Sequence, residues 1–371
     1  MSTSTVDRLA REGGEPVRTA PWPVDEAPAP AEDLDPASAF EAELAKLVDG
    51  DRRVVACAGG ASALALALEA AGLSPGDEIG VPAIGASDVA RAALEAGLRV
   101  VPVEVEQESG NVSSRGLAAA AGPALRALAV THVFGHPAAM PDLLRLAEHY
   151  GLPVVEDMSA SLGAAYSGVA TGALGRVAAL GGGEGHLVPT PEVGAVLVPD
   201  DETAASVRAR LASMGGAPAE PELRMALAAL RGADASLLGR RQAAWHLAYE
   251  LRGVRGVVAM PHGRRVRHGY DCYVLRLRSA LWNCGLEEAV EALQAEGLPA
   301  RVALEPPLHE DVDIAAGLEG DERVAPERFA IASQLARELI ALPLPASTTV
   351  HEMNDLATAV RKVAAHFTKT D

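Results

Sequence analysis

Short apolar segments alternate with helical ones along most of this chain, and that rhythm narrows its possible folds more than any other feature. A helical stretch (FEAELAKLV) precedes an apolar strand (RRVVACA), a Gly-Gly turn and a second helix (SALALALEAAG). SPGDE then reads as a turn and IGVPAI as a strand. The alternation continues through DVARAALEAG, LRVVPVEV, LRALAVTHVF, MPDLLRLAEHYG and LPVVEDM, and GRVAALGG and VGAVLVPD add two strands. Unbroken apolar strands set between helices predict a mostly parallel sheet covered on both faces. A long helical stretch runs from about Glu222 to Leu251. After Pro261 the rhythm changes to a strand (YDCYVLRLRS), a helix (LEEAVEALQAEG) and two more helices. The predicted fold class is therefore α/β, with a mostly parallel seven-stranded sheet in a large domain over 36–255 and a smaller C-terminal α+β domain over 256–371.

A chain of 371 residues can bury a sizeable core, and with aromatics at only 3% that core must be packed from small and aliphatic side chains. The 32 basic and 50 acidic residues give a formal charge of −18, which repels phosphate backbones and anionic membranes. No nucleic-acid or membrane partner is expected. Residues 1–35 are rich in Pro, Ala, Glu and Asp (PVDEAPAPAEDLDP) and are expected to be disordered. Cys57, Cys272 and Cys284 are isolated and show no metal-ligand spacing, so no metal is expected and a reducing cytoplasm is the expected setting. No basic-plus-apolar leader is visible, and Glu, Gly or Pro breaks each apolar run before membrane-spanning length.

Several stretches in order resemble the DegT-type family of PLP-dependent sugar aminotransferases and dehydratases. LSPGDEIGVPAI is similar to the family's G-x-x-x-GDEV-x-x-P segment. THVFGHPAAMPDLLRLAEHYGLPVVEDMSASLGAAYSGVATGALG is similar to its most recognisable core. RMALAALRG followed by GRR, then EPPLHED and LPLPASTTVHEMNDL, are similar to its later blocks. The resemblance spans nearly the whole chain from Pro21. It implies a PLP-transferase-like large domain, a homodimer and a small-molecule substrate.

It also implies a cofactor site, and here the sequence departs from the family. Asp157 matches the aspartate that contacts the pyridine nitrogen. His186 stands where the aldimine lysine should be, and the chain's three lysines, Lys46, Lys362 and Lys369, lie outside the cofactor region. Only a primary amine forms that Schiff base. The family's phosphate-binding S-G-T corresponds to Gly59, Gly60 and Ala61, followed by Ser62. The ring-stacking aromatic corresponds to Ala86, a glutamine to Ala160 and a phosphate serine to Gly181. An asparagine given across the dimer corresponds to Glu222, beside Arg224. These losses together predict that neither PLP nor PMP is bound. The loop GGGEGH reads as a flexible remnant rather than a phosphate cradle.

Three functional readings stay open. A cofactor-free acid–base enzyme of lyase, isomerase or cyclase type, in secondary or sugar-derived metabolism, would use His186, Asp157, Glu184 and His132. Ser62, Ser159, Arg224 and His309 would then line its substrate pocket. A non-catalytic scaffold or regulator would pair instead with an active paralogue or pathway enzyme. A PMP-dependent sugar 3-dehydratase-like enzyme would use His186 as its base, as that branch of the family does.

Overall fold

The computed structural model describes residues 8–48, 51–259, 263–311 and 322–369. Its main sheet is built from β1 (Arg53–Ala58), β2 (Glu78–Pro82), β3 (Arg99–Val103), β4 (Leu125–Thr131) and β5 (Val154–Asp157). A short hairpin, β6 (Ala165–Tyr166) and β7 (Val169–Ala170), separates these from the sheet's last two strands, β8 (Val177–Gly181) and β9 (Val193–Val198). The order across the seven-stranded sheet is β1-β9-β8-β5-β4-β2-β3. Pairing is parallel from β3 through β2, β4 and β5 to β8. Strand β9 runs against β8 and β1, so six strands share one direction.

The apolar runs have their predicted cause. Every residue of β2, β8 and β9 is buried, because helices cover both faces. On one face Leu64, Leu66 and Leu68 of α2 (Gly59–Ala70) pack with Val89 and with Val207 and Leu211. On the other, Phe40 and Leu44 pack with Leu223, Leu227 and Leu230, and a second cluster joins Leu117, Met140 and Leu143 to the strands. The expected single helix from Glu222 to Leu251 is two, Glu220–Arg231 and Ala233–Glu250, broken at Gly232.

The smaller domain holds an antiparallel sheet of β10 (Val257–Ala259), β12 (Cys272–Leu277), β14 (Leu339–Pro343) and β13 (Arg301–Val302), in that spatial order. Strand β11 (Val266–Arg267) pairs with β6 of the large domain. The small-domain core joins Tyr273, Leu275, Ile340 and Leu342 to Leu356 and Val360 of the last helix, Val350–Phe367. Leu247 and Leu251 also belong to that core, so the segment before 256 is shared between the two halves. Pro261 lies outside the described residues.

Residues 8–35, expected to be disordered, run as a strap pinned by polar contacts. Glu296 accepts from the amides of Ala10 (2.9 Å) and Val17 (3.1 Å), and from Lys362 (2.8 Å). The Arg18 guanidinium, nearly buried, pairs with Asp355 at 2.9 Å and Glu352 at 3.3 Å. Asp25 caps the amides of Ala346 and Ser347, and Asp33 takes Arg231 in a two-pronged pair. Low hydrophobicity misled the expectation because complementary charges, rather than apolar burial, hold most of this segment. Arg18→Ala should therefore cost about 1.5–3 kcal/mol in urea unfolding, and limited trypsin digestion should release the strap faster than in the parent protein.

Candidate active site

Six strands that share a direction send their following loops to one edge, and a cluster of polar groups from several of those loops lies there. A cavity of about 610 Å³ is lined by Gly60 and Ala61 after β1, Ala86 after β2, and Thr131 at the end of β4. Asp157, Ser159 and Ala160 follow from β5, Gly181 and His186 from β8, and Asp271, Cys272 and Arg301 from the small domain. Arg91 and Glu305 stand in the same wall, 3.9 Å apart.

Asp157 is held at this wall by its neighbour. The Ser159 amide and hydroxyl both donate to Asp157 Oδ1, at 3.1 and 2.7 Å, and the Ser159 hydroxyl accepts from the Gly181 amide at 2.8 Å. Gly181 is a glycine for a steric reason: a Cβ there would stand 2.8 Å from the Gly60 Cα. A serine side chain would collide with the helix that follows β1.

The GGGEGH loop is not a flexible remnant. The Gly182 amide donates to Val193 O and the Gly183 amide to Val188 O, at 2.8 and 3.0 Å. A Cβ on Gly182 would meet Thr190 O at 2.0 Å, and one on Gly183 would press on the His186 ring at 3.1 Å. This tight turn sets the imidazole in the cavity, with Nδ1 3.1 Å from Gly181 O. A carbonyl only accepts, so Nδ1 is the donor in this contact and Nε2 takes no part in it. Nε2 lies 3.8 Å from Asp271 Oδ1.

Other predicted site residues lie elsewhere. His132 is fully buried behind the strands: its Nδ1 accepts from the Ala138 amide at 3.0 Å and its Nε2 donates to Glu156 at 3.0 Å. Both nitrogens are committed, which removes it from acid–base work. Glu184 is exposed and, with Ser62, is absent from the cavity lining. Arg224 pairs with Glu220 at 2.6 Å and donates to Ala31 O. His309 stacks on Phe329, and burial pushes its imidazole down from its ordinary range. Sequence reasoning missed Asp271, whose signal was an acidic residue immediately before a mostly apolar strand.

The chain matches the DegT/DnrJ/EryC1/StrS aminotransferase family over residues 35–361. It belongs to that family. It is 35% identical to the L-glutamine:2-deoxy-scyllo-inosose aminotransferase of Streptomyces fradiae over 224 residues, 54% of this chain and 52% of that protein. The chain thus matches about half the length of that relative. Among solved structures, DesI, determined with its TDP-sugar product, superposes with a TM-score of 0.84 at 24% identity over 97% of each chain. DesV of Streptomyces venezuelae, determined with a ketimine intermediate, superposes with a TM-score of 0.79 at 27% identity over 91% of this chain and 90% of its own.

These findings overturn the expectation that no cofactor is bound: the members of this family and the solved structures the chain resembles are enzymes of PLP or PMP chemistry. What the residues fit is a group held without a covalent bond. Asp157 lines the cavity, and the first turn of α2, whose Gly60 and Ala61 line it too, has no side-chain cap. No lysine reaches the cavity. Lys46 is exposed beside Glu43, Lys362 is bound to Glu296, and Lys369 donates to Ala280 O. Among the described residues no cluster suits a metal ion and no helix is long and apolar enough to cross a membrane.

Glu156, one residue before Asp157, is the anchor beneath the site. Its carboxylate accepts from His132 and from the amides of Gly172, Leu174 and Gly175. Burial pushes this carboxyl upward, but those hydrogen bonds outweigh it and hold the group below its ordinary 4.5. Its contribution to stability is therefore complete above about pH 4.5 and is lost as pH falls through the lowered folded value. Glu156→Gln should cost roughly 3 kcal/mol at pH 7, because an amide would face backbone donors, and should flatten this acid limb of stability in urea titrations.

Proposed function

We propose that the chain is a DegT-family enzyme acting on a sugar- or cyclitol-derived carbonyl compound, with pyridoxamine phosphate held non-covalently and His186 as the base. The observation that carries this reading is His186 itself. A turn of glycines fixes it in the cavity with Nε2 free of its Nδ1 contact, where no lysine reaches. The names of relatives support the substrate class, since they act on an inosose or a nucleotide-linked sugar.

Pyridoxamine phosphate, when bound, supplies an amine for the substrate carbonyl and a ring that draws electrons from the neighbouring carbon. Everything else falls to the chain. Asp157 keeps a pyridine nitrogen protonated, and the amides of Gly60 and Ala61 receive the phosphate. His186 Nε2 takes a proton from the substrate carbon, and Arg91, Glu305 and Arg301 offer partners for sugar hydroxyls. Pairing of two copies, drawn from the resemblance, is part of the same proposal.

Calorimetric titration should give saturable binding of pyridoxamine phosphate to the purified chain. Asp157→Ala should weaken it at least about tenfold, that is by roughly 1.4 kcal/mol. His186→Lys, incubated with pyridoxal phosphate and borohydride, should gain the cofactor's mass at that residue. Absence of both binding and labelling would sink the reading.

A further inference from the structure

Asp271 immediately precedes β12, a strand whose residues are mostly apolar, and its position is fixed before its side chain is considered. Tyr270 adopts φ 52, a left-handed conformation that tyrosine rarely takes. Its amide is tied to His268 Nδ1 at 2.9 Å, and the two rings stack with centroids 3.8 Å apart. Gly135 packs so closely that a Cβ there would stand 2.6 Å from the Tyr270 amide nitrogen and 3.0 Å from that of Asp271. The turn delivers the Asp271 carboxyl into the cavity wall.

Within that wall the carboxyl is poorly provided for. Its side chain is 14% exposed, and Oδ1 is buried without a hydrogen-bond partner among the described residues. Burial pushes the acid upward, opposed by the charges of His186 in the glycine loop, Arg240 on the 233–250 helix and Arg301 on β13. Arg240 aims at the Tyr270 carbonyl, 3.3 Å away, and Arg301 is exposed. The described ion pairs give Asp271 one partner, His186, at 3.8 Å. An unpaired buried carboxylate is too costly to keep without a purpose or a proton.

We propose that Asp271 is the charge partner of His186, a positioning residue whose carboxyl faces Nε2 and pairs with the imidazolium formed when Nε2 takes a proton from the substrate. Nδ1 is committed to Gly181 O, so Nε2 is the nitrogen whose protonation can change, and Asp271 Oδ1 lies 3.8 Å from it. The proton leaves a substrate carbon, its electron pair stays with the substrate, and the proton is returned to product from the same pair. Asp157 takes no part, because Ser159 and the pocket wall hold it for the ring nitrogen. The role of Nε2 as base rests on the proposed function; the pairing of the two side chains does not.

The test is the titration of His186 followed by NMR in protein labelled at histidine, with its resonance identified by its disappearance in His186→Asn. Asp271→Asn should lower the His186 midpoint by about one unit or more, and Asp271→Glu should restore part of that shift. Asp157→Asn should move it less. A midpoint unchanged in folded Asp271→Asn, or moved equally by Asp157→Asn, overturns the proposal. If Asp271→Asn fails to fold, Asp271→Glu decides alone: a carboxyl set one methylene deeper must alter the midpoint if the two groups are paired. Failure of pyridoxamine phosphate to bind, with the coupling present, would sink the cofactor reading and leave the pairing intact.

Discussion

The carboxylate of Glu156 is the point on which the site turns. It lies in the middle of a sheet covered on both faces, where an unpaired charge could not persist. Three backbone amides of the segment 172–175 and one histidine nitrogen satisfy it. That segment leads directly into β8, so the same bonds set the start of the strand whose far end carries Gly181 and His186. Side chains alternate along β5, so Glu156 faces the protein while Asp157, one residue on, faces the cavity. One strand thus supplies both the anchor and a site residue.

The cavity itself is a consequence of strand direction. Six co-directional strands place five loops at one edge, and the small domain closes the wall with Asp271 and Arg301. The floor is made from backbone rather than side chains, with Gly60 and Gly181 in contact through their Cα atoms. Read from the sequence, these glycines were losses of phosphate-binding hydroxyls. In the fold, Gly181 is required by the approach of α2, where a Cβ would stand 2.8 Å from the Gly60 Cα. The expectation of an empty pocket weighed side chains alone, and the family assignment corrects it.

The strap over residues 8–35 illustrates a different misreading. Its composition signals disorder, yet Arg18, Asp25 and Asp33 each meet a partner more than 190 residues away in sequence. Composition reports how much apolar surface a segment can bury. It does not report whether the rest of the chain presents complementary charges at the right places.

By itself, the sequence determined the layered fold, because strand and helix periods are local and the apolar runs of β2, β8 and β9 can be buried only under helices on both sides. It also singled out Asp157 and His186, which line the cavity from the end of β5 and from the loop after β8. Only the tertiary structure decided which histidines line the cavity. His132 and His186 look alike as letters, but one has both nitrogens committed in the core and the other keeps Nε2 toward Asp271. Asp271 was hidden for the same reason: it lies 85 residues from His186 in sequence, and the charge, burial and direction of a side chain are properties of its neighbours in space.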